Sequence, residues 1–146
     1  MSPTGYSGTP LVAKLGYKPD FRVYLHRPPA DYRELLGSAP DGVAFLARQA
    51  AKLDLVHLFT DSAAELAKLL VRFRKSIDSD GMVWVSWPKK ASKVPTDIAE
   101  QTIRDLALPL GYVDVKVCAV DAVWSGLKLV IRRELRKPVP PKAGRR

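Results

Sequence analysis

The chain has 146 residues, 47% of them hydrophobic, with 24 Lys and Arg against 15 Asp and Glu for a net charge of +9. That length predicts one domain with a core large enough to need neither disulfides nor a structural metal. A single cysteine, Cys118, excludes an intrachain disulfide framework and fits a reducing cytoplasm; the first fifteen residues lack a secretory pattern, and no apolar run approaches the about 18 residues of a membrane span.

Residues 1–8 read as a polar, Gly-rich arm. Thr9 and Pro10 then open a short helix that Gly16 stops. Phe21–His26 alternates apolar and polar residues, a strand that Pro28 and Pro29 end. Asp31 with Glu34 has capping-box spacing, and Gly37 closes the helix behind it. Val43–Ala47 is a short strand, and Leu53–Phe59 is apolar enough to be buried on both faces. Ser62 with Glu65 makes a second capping box; behind it Leu66, Leu70, Phe73 and Ile77 share one helix face. Asp80-Gly81 predicts a turn before a fourth strand, Met82–Trp87. Asp97 with Glu100 predicts a helix start, with Ile98, Thr102, Leu106 and Leu110 on one face and Gly111 as the stop. Tyr112–Val120 and Leu127–Glu134 are two further strands joined by Asp121–Gly126. Lys137–Arg146 holds Lys137, Lys142, Arg145 and Arg146 with no acid, among Pro138, Pro140 and Pro141. It reads as a disordered tail and leaves +5 on residues 1–136.

Strands alternating with helices, closed by a strand pair, predict a three-layer α/β fold over residues 1–136. Its sheet is mostly parallel, with an antiparallel addition at one end. Lys18–Leu25, Asp54–Phe59, Asp80–Ser86 and the closing strands, in that order, resemble the methyltransferase-type Rossmann fold. The short link from Ala47 to Leu53 suggests that one strand-and-helix unit has been trimmed away, and the resemblance then implies the sheet order 2-1-3-4-6-5, with the sixth strand antiparallel. A second resemblance rests on Gly5–Leu11 (GYSGTPL), Trp84–Lys90 (WVSWPKK), Asp114–Asp121 (DVKVCAVD) and Trp124–Lys128 (WSGLK). It is to a family of small bacterial proteins with a domain of unknown function, and it implies no activity. Binding S-adenosylmethionine in the Rossmann-type relatives takes a Gly-rich turn after the first strand and an acid after the second. His26–Ala30 has two prolines and no glycine, and Val43–Gln49 has no acid. The expectation is therefore no such cofactor and no methyltransferase activity.

Open α/β sheets bind ligands at the carboxyl ends of their strands. The loop leaving the fourth strand offers Ser86, Trp87, Lys89, Lys90, Ser92, Lys93 and Thr96 there, just before a helix N-terminus. Those groups suit an anion, phosphate- or nucleotide-like, and Trp87 and Trp124 suit stacking on a base. The bland alternative is a solvated lysine loop with packed tryptophans. A possible second site is Lys116, Asp121, Trp124 and Lys128, a catalytic Lys–Asp arrangement or else surface lysines paired with Asp114 or Asp121. Cys118 reads as an inert buried thiol and His57 as a hydrogen-bonded core histidine. His26 and His57 lack ligand-spaced partners, so no metal site is expected. Three functional readings follow: a non-catalytic anion-binding module, a nucleic-acid accessory protein using tail and surface lysines, or a small enzyme using Lys116, Asp121 and Lys128.

Overall fold

A computed structural model describes residues 9–48 and 50–137. The arm over residues 1–8, most of the GYSGTPL motif and the tail beyond Lys137 lie outside the described residues. In chain order the elements are α1 (Leu11–Leu15), β1 (Arg22–His26), α2 (Tyr32–Leu36), β2 (Ala44–Leu46), β3 (Leu53–Phe59), α3 (Ala63–Ser76), β4 (Ile77–Pro88), α4 (Glu100–Ala107), β5 (Tyr112–Ala119) and β6 (Trp124–Ile131). The sheet order is β2-β1-β3-β4-β6-β5, as the resemblance implies. The pairs among β1 to β4 are parallel, and β6 runs antiparallel to both neighbours.

Strand alternation divides the core in two. Val56, Leu58, Val83, Val85, Leu127 and Leu129 face α3 and α4, which add Leu66, Leu70, Phe73 and Ile103. Leu55, Phe59, Met82 and Trp84 face α1 and α2, which add Leu11, Leu15, Tyr32 and Leu36. Burying one such side chain contributes roughly 1.5–3 kcal/mol, so each helix is held by its apolar stripe more than by its own propensity. Polar ties fix the layers: the Trp84 indole N–H donates to the Leu15 carbonyl (2.8 Å), and the Tyr112 hydroxyl to the Leu70 carbonyl (2.7 Å).

Three expectations about elements need correcting. β4 begins at Ile77, directly after α3, and runs through Asp80 and Gly81, where the sequence suggests a turn. A Cβ at Gly81 would lie 2.9 Å from the Leu53 carbonyl oxygen, so the glycine serves close strand approach. β6 starts at Trp124, three residues earlier than expected, because the Asp121 carboxylate accepts the Val123 and Trp124 N–H groups (2.8 Å each) and tightens the hairpin. Gly126, expected in the loop, sits in that strand against Trp84, 3.2 Å from where its Cβ would be. Finally, α4 starts at Glu100, and Thr102 Oγ1 accepts the Ala99 N–H (3.0 Å). Asp97 does not cap it. Its carboxylate accepts the Ala63 N–H (2.8 Å) at the start of α3.

Candidate functional site

The chain leaves β1 toward β2 on one side and returns to β3 on the other, so the crevice between the carboxyl ends of β1 and β3 is the switch point of the sheet. Several of the protein's own side chains meet there. Glu65, in the first turn of α3, accepts a hydrogen bond from the Thr60 hydroxyl and lies 3.1 Å from Arg27 Nη2 and 3.5 Å from His26 Nε2. Burial opposes its ionisation, but the Thr60 hydroxyl, Arg27 and His26 outweigh it and hold the carboxyl below its ordinary range. Ser62 Oγ caps the same helix by accepting the Glu65 N–H (3.2 Å), as the capping-box spacing predicts. Arg27 occupies the left-handed region (φ 52°), where Pro28 and Pro29 follow it and no glycine relieves the turn.

One strand further along, the chain beyond β4 borders an open cleft of about 510 Å³. Trp87, Lys89, Lys90 and Thr96 line it, joined by Pro88, Ile98 and Ser125. Lys89 N–H donates to the Val123 carbonyl (2.7 Å), fixing the loop to the β5–β6 hairpin. The Thr96 hydroxyl donates to the Asp61 carbonyl (2.8 Å). Two carboxylates also border the cleft, and both are engaged: Asp97 by the Ala63 N–H and Glu100 by Arg104. Lys89 and Lys90 have no ion pair among the described residues. The remaining members of the predicted set lie elsewhere. The Ser92 hydroxyl donates to the Lys89 carbonyl (2.6 Å) and is spent inside the loop. Lys93, at φ 61°, closes a single 3-10 turn over Lys90–Ser92 and does not line the cleft.

Ser86 points the other way, because it and Trp87 are consecutive in a strand. It ends a buried chain of polar side chains that sequence reading misses. Tyr17 and Tyr32 share a hydroxyl–hydroxyl bond (2.8 Å), Tyr32 reaches His57 Nδ1 (2.9 Å), and His57 Nε2 reaches Ser86 Oγ (2.7 Å). His57 and Ser86 are fully buried. Burial pushes the His57 imidazolium pKa down to about 3 and the Tyr17 phenol up to about 12, so both groups are neutral near pH 7. Phe59 stacks on His57 at 4.3 Å, and Trp124 packs edge-on against Phe59 at 5.1 Å. The histidine set among Leu55, Val56, Leu58 and Phe59 is the one sequence signal of this network.

The second predicted set does not converge. Lys116 and Lys128 are direct cross-strand partners on β5 and β6, whereas Asp121 is held in the hairpin turn and Trp124, partly buried, packs against Phe59. Asp114 pairs with Arg104 (2.8 Å), and Lys116 Nζ donates to the Lys14 carbonyl (3.0 Å). Among the described residues neither lysine forms an ion pair with an aspartate. Cys118 is half-buried, less enclosed than the sequence suggests; burial raises its pKa, opposed by Lys14 and Lys116.

No family model matches the chain, and no curated protein matches it. Solved structures do. A possible exported protein from Bordetella parapertussis aligns at 13% identity and TM-score 0.56, over 88% of this chain and 66% of that one. A TehB-like SAM-dependent methyltransferase from Corynebacterium glutamicum aligns at 6% identity and TM-score 0.53, over 83% and 85%. Magnesium protoporphyrin IX methyltransferase from Synechocystis, solved with S-adenosylmethionine, aligns at 13% identity and TM-score 0.55, over 83% and 74%. The fold is a trimmed, methyltransferase-like Rossmann fold. Pro28 and Pro29 remove two backbone donors from the turn after β1, and Glu65, Arg27 and His26 meet beside it. No helix among the described residues is long and apolar enough to cross a membrane.

Proposed function

We propose that this methyltransferase-like domain is a binding module for a phosphate- or nucleotide-like anion, seated in the cleft beyond β4, and that it does not transfer methyl groups. The observation that carries the reading is the pairing state of the charges around that cleft: Asp97 and Glu100 are each bonded to a donor, while Lys89 and Lys90 are left for a ligand. Two ammonium groups on an open cleft suit an anion, and the Trp87, Pro88 and Ile98 surface suits an apolar or flat moiety beside it. The resemblance to the small bacterial family draws attention to the same place. Its WVSWPKK and WSGLK segments are direct antiparallel partners here, with Trp87 opposite Ser125 and Pro88 opposite Trp124. A cytoplasmic location accords with the free thiol of Cys118.

The test is titration of the isotope-labelled protein with phosphate, ADP and S-adenosylmethionine, followed by NMR. Phosphate or ADP should shift residues 87–100, and the K89Q/K90Q double variant should weaken binding at least about tenfold, near 1.4 kcal/mol. S-adenosylmethionine should shift nothing at residues 26–31 or 60–65. Absence of any anion-induced shift around the cleft refutes the binding module, and saturable S-adenosylmethionine binding at the switch point refutes the second half of the reading.

A further inference from the structure

On the α1 face of the sheet, midway along β5 and β6, three lysines gather around the end of α1. Lys116 and Lys128 stand directly opposite each other across β5 and β6. Like charges in that relation destabilise a sheet. Lys116 Nζ bonds to the Lys14 carbonyl, and Lys128 Nζ lies within 4.0 Å of where a Cβ on Gly16 would stand, so both ammonium groups sit at the turn that ends α1. Lys18 follows that turn two residues later. Burial, then Lys116, then Lys18 push the half-buried Lys128 below its ordinary pKa, so Lys128 feels both of the other lysines.

Among the described residues none of Lys18, Lys116 and Lys128 has an ion pair. Asp114, two residues from Lys116, is committed to Arg104. Part of the arrangement answers to the carbonyl end of α1, but that helix has five residues and two of its last carbonyls are already taken, by Trp84 and Lys116. A helix end of that size does not account for Lys128 standing against both Lys116 and Lys18. Their repulsion is a stored cost that a dense line of negative charge would remove.

From this juxtaposition we infer that the Lys18, Lys116 and Lys128 face is a docking surface for a nucleic-acid phosphate backbone. Lys18 and Lys116 are exposed on an open surface rather than in a pocket. Such a surface holds a small free anion poorly but gains from a polyanion, which releases its condensed counterions when it docks. The net charge of +9 draws the same partner from a distance. This surface is separate from the cleft beyond β4 and does not depend on the ligand proposed there.

The experiment uses the full chain and a labelled DNA duplex, read by fluorescence anisotropy over a salt series. The K18Q/K116Q/K128Q variant should bind at least about tenfold more weakly at low salt. Its slope of log K against log salt should fall by about 0.9 for each phosphate that is no longer neutralised, so by about 2 to 3. K89Q/K90Q should leave that slope unchanged, which separates this surface from the cleft. Thermal melting should show the triple variant no less stable than the wild type, since it is relieved of repulsion; if it fails to fold, K18Q/K116Q alone should lower the slope by about 2. Three results would overturn the inference: no duplex binding by the wild type, an unchanged slope in the variants with binding abolished by deleting residues 138–146, or polyglutamate binding as tightly as the duplex, which assigns the surface to an acidic protein instead.

Discussion

His57 shows how one residue can tie stability to pH without taking part in chemistry. The folded state keeps its ring neutral down to about pH 3, while the unfolded chain takes up the proton near the ordinary value of 6.5. Between those values the unfolded state binds more protons, so its contribution to stability is complete above about pH 6.5 and is lost as pH falls toward 3. The loss approaches 1.4 kcal/mol per pH unit in mid-window. Urea denaturation at several pH values should show this slope in the wild type and a shallower one in His57→Gln; parallel curves would mean the ring is not titrating as its burial requires. The histidine is legible in the sequence as a core residue because it interrupts an apolar strand. Its partner Ser86 reads instead as the first residue of the lysine loop. The sequence shows Ser86 and Trp87 as neighbours, but strand geometry sends one to each face, and only the strand's end decides which residue meets the cleft.

At the scale of elements, Asp97 is the instructive case. Its spacing to Glu100 has the form of a helix cap, but the bond it makes is to Ala63, 34 residues earlier in the chain. A local pattern cannot report a partner that tertiary folding brings in. The same holds for Glu65, whose capping-box position is correct but whose carboxylate turns to Thr60, Arg27 and His26. Asp97→Ala therefore should cost about 0.5–2 kcal/mol, as loss of a helix cap does, with the effect centred on α3 rather than α4. Because the same change removes a carboxylate from the cleft rim, phosphate affinity should rise while stability falls. Hydrogen exchange and anion titration on one sample check both, and a variant whose exchange quickens in α4 but not in α3 would contradict the assignment.

For the whole molecule, the number and kind of elements are readable because each strand carries its own period and each helix its own stripe. The sheet order β2-β1-β3-β4-β6-β5 is the one that the resemblance to the methyltransferase-type Rossmann fold implies once a strand-and-helix unit is trimmed away. What cannot be read is the content of the switch point. Missing glycines announce that the usual ligand turn is absent, but they do not say that an acid, an arginine and a histidine from two different elements meet there.

The tight hairpin at Asp121 also bears on the order in which the fold assembles. β5 and β6 are joined by the four residues 120–123, so their pairing closes the shortest loop in the sheet. Each parallel pair that joins β3 to a neighbour must instead wait for a longer stretch of chain to be ordered. The carboxyl-terminal hairpin is thus suited to form early and to act as the template on which β4 docks. In stopped-flow experiments Asp121→Ala should slow folding and barely alter unfolding, whereas Asp97→Ala should mainly accelerate unfolding. The reverse pattern would place the nucleus in the parallel half and make the hairpin a late addition.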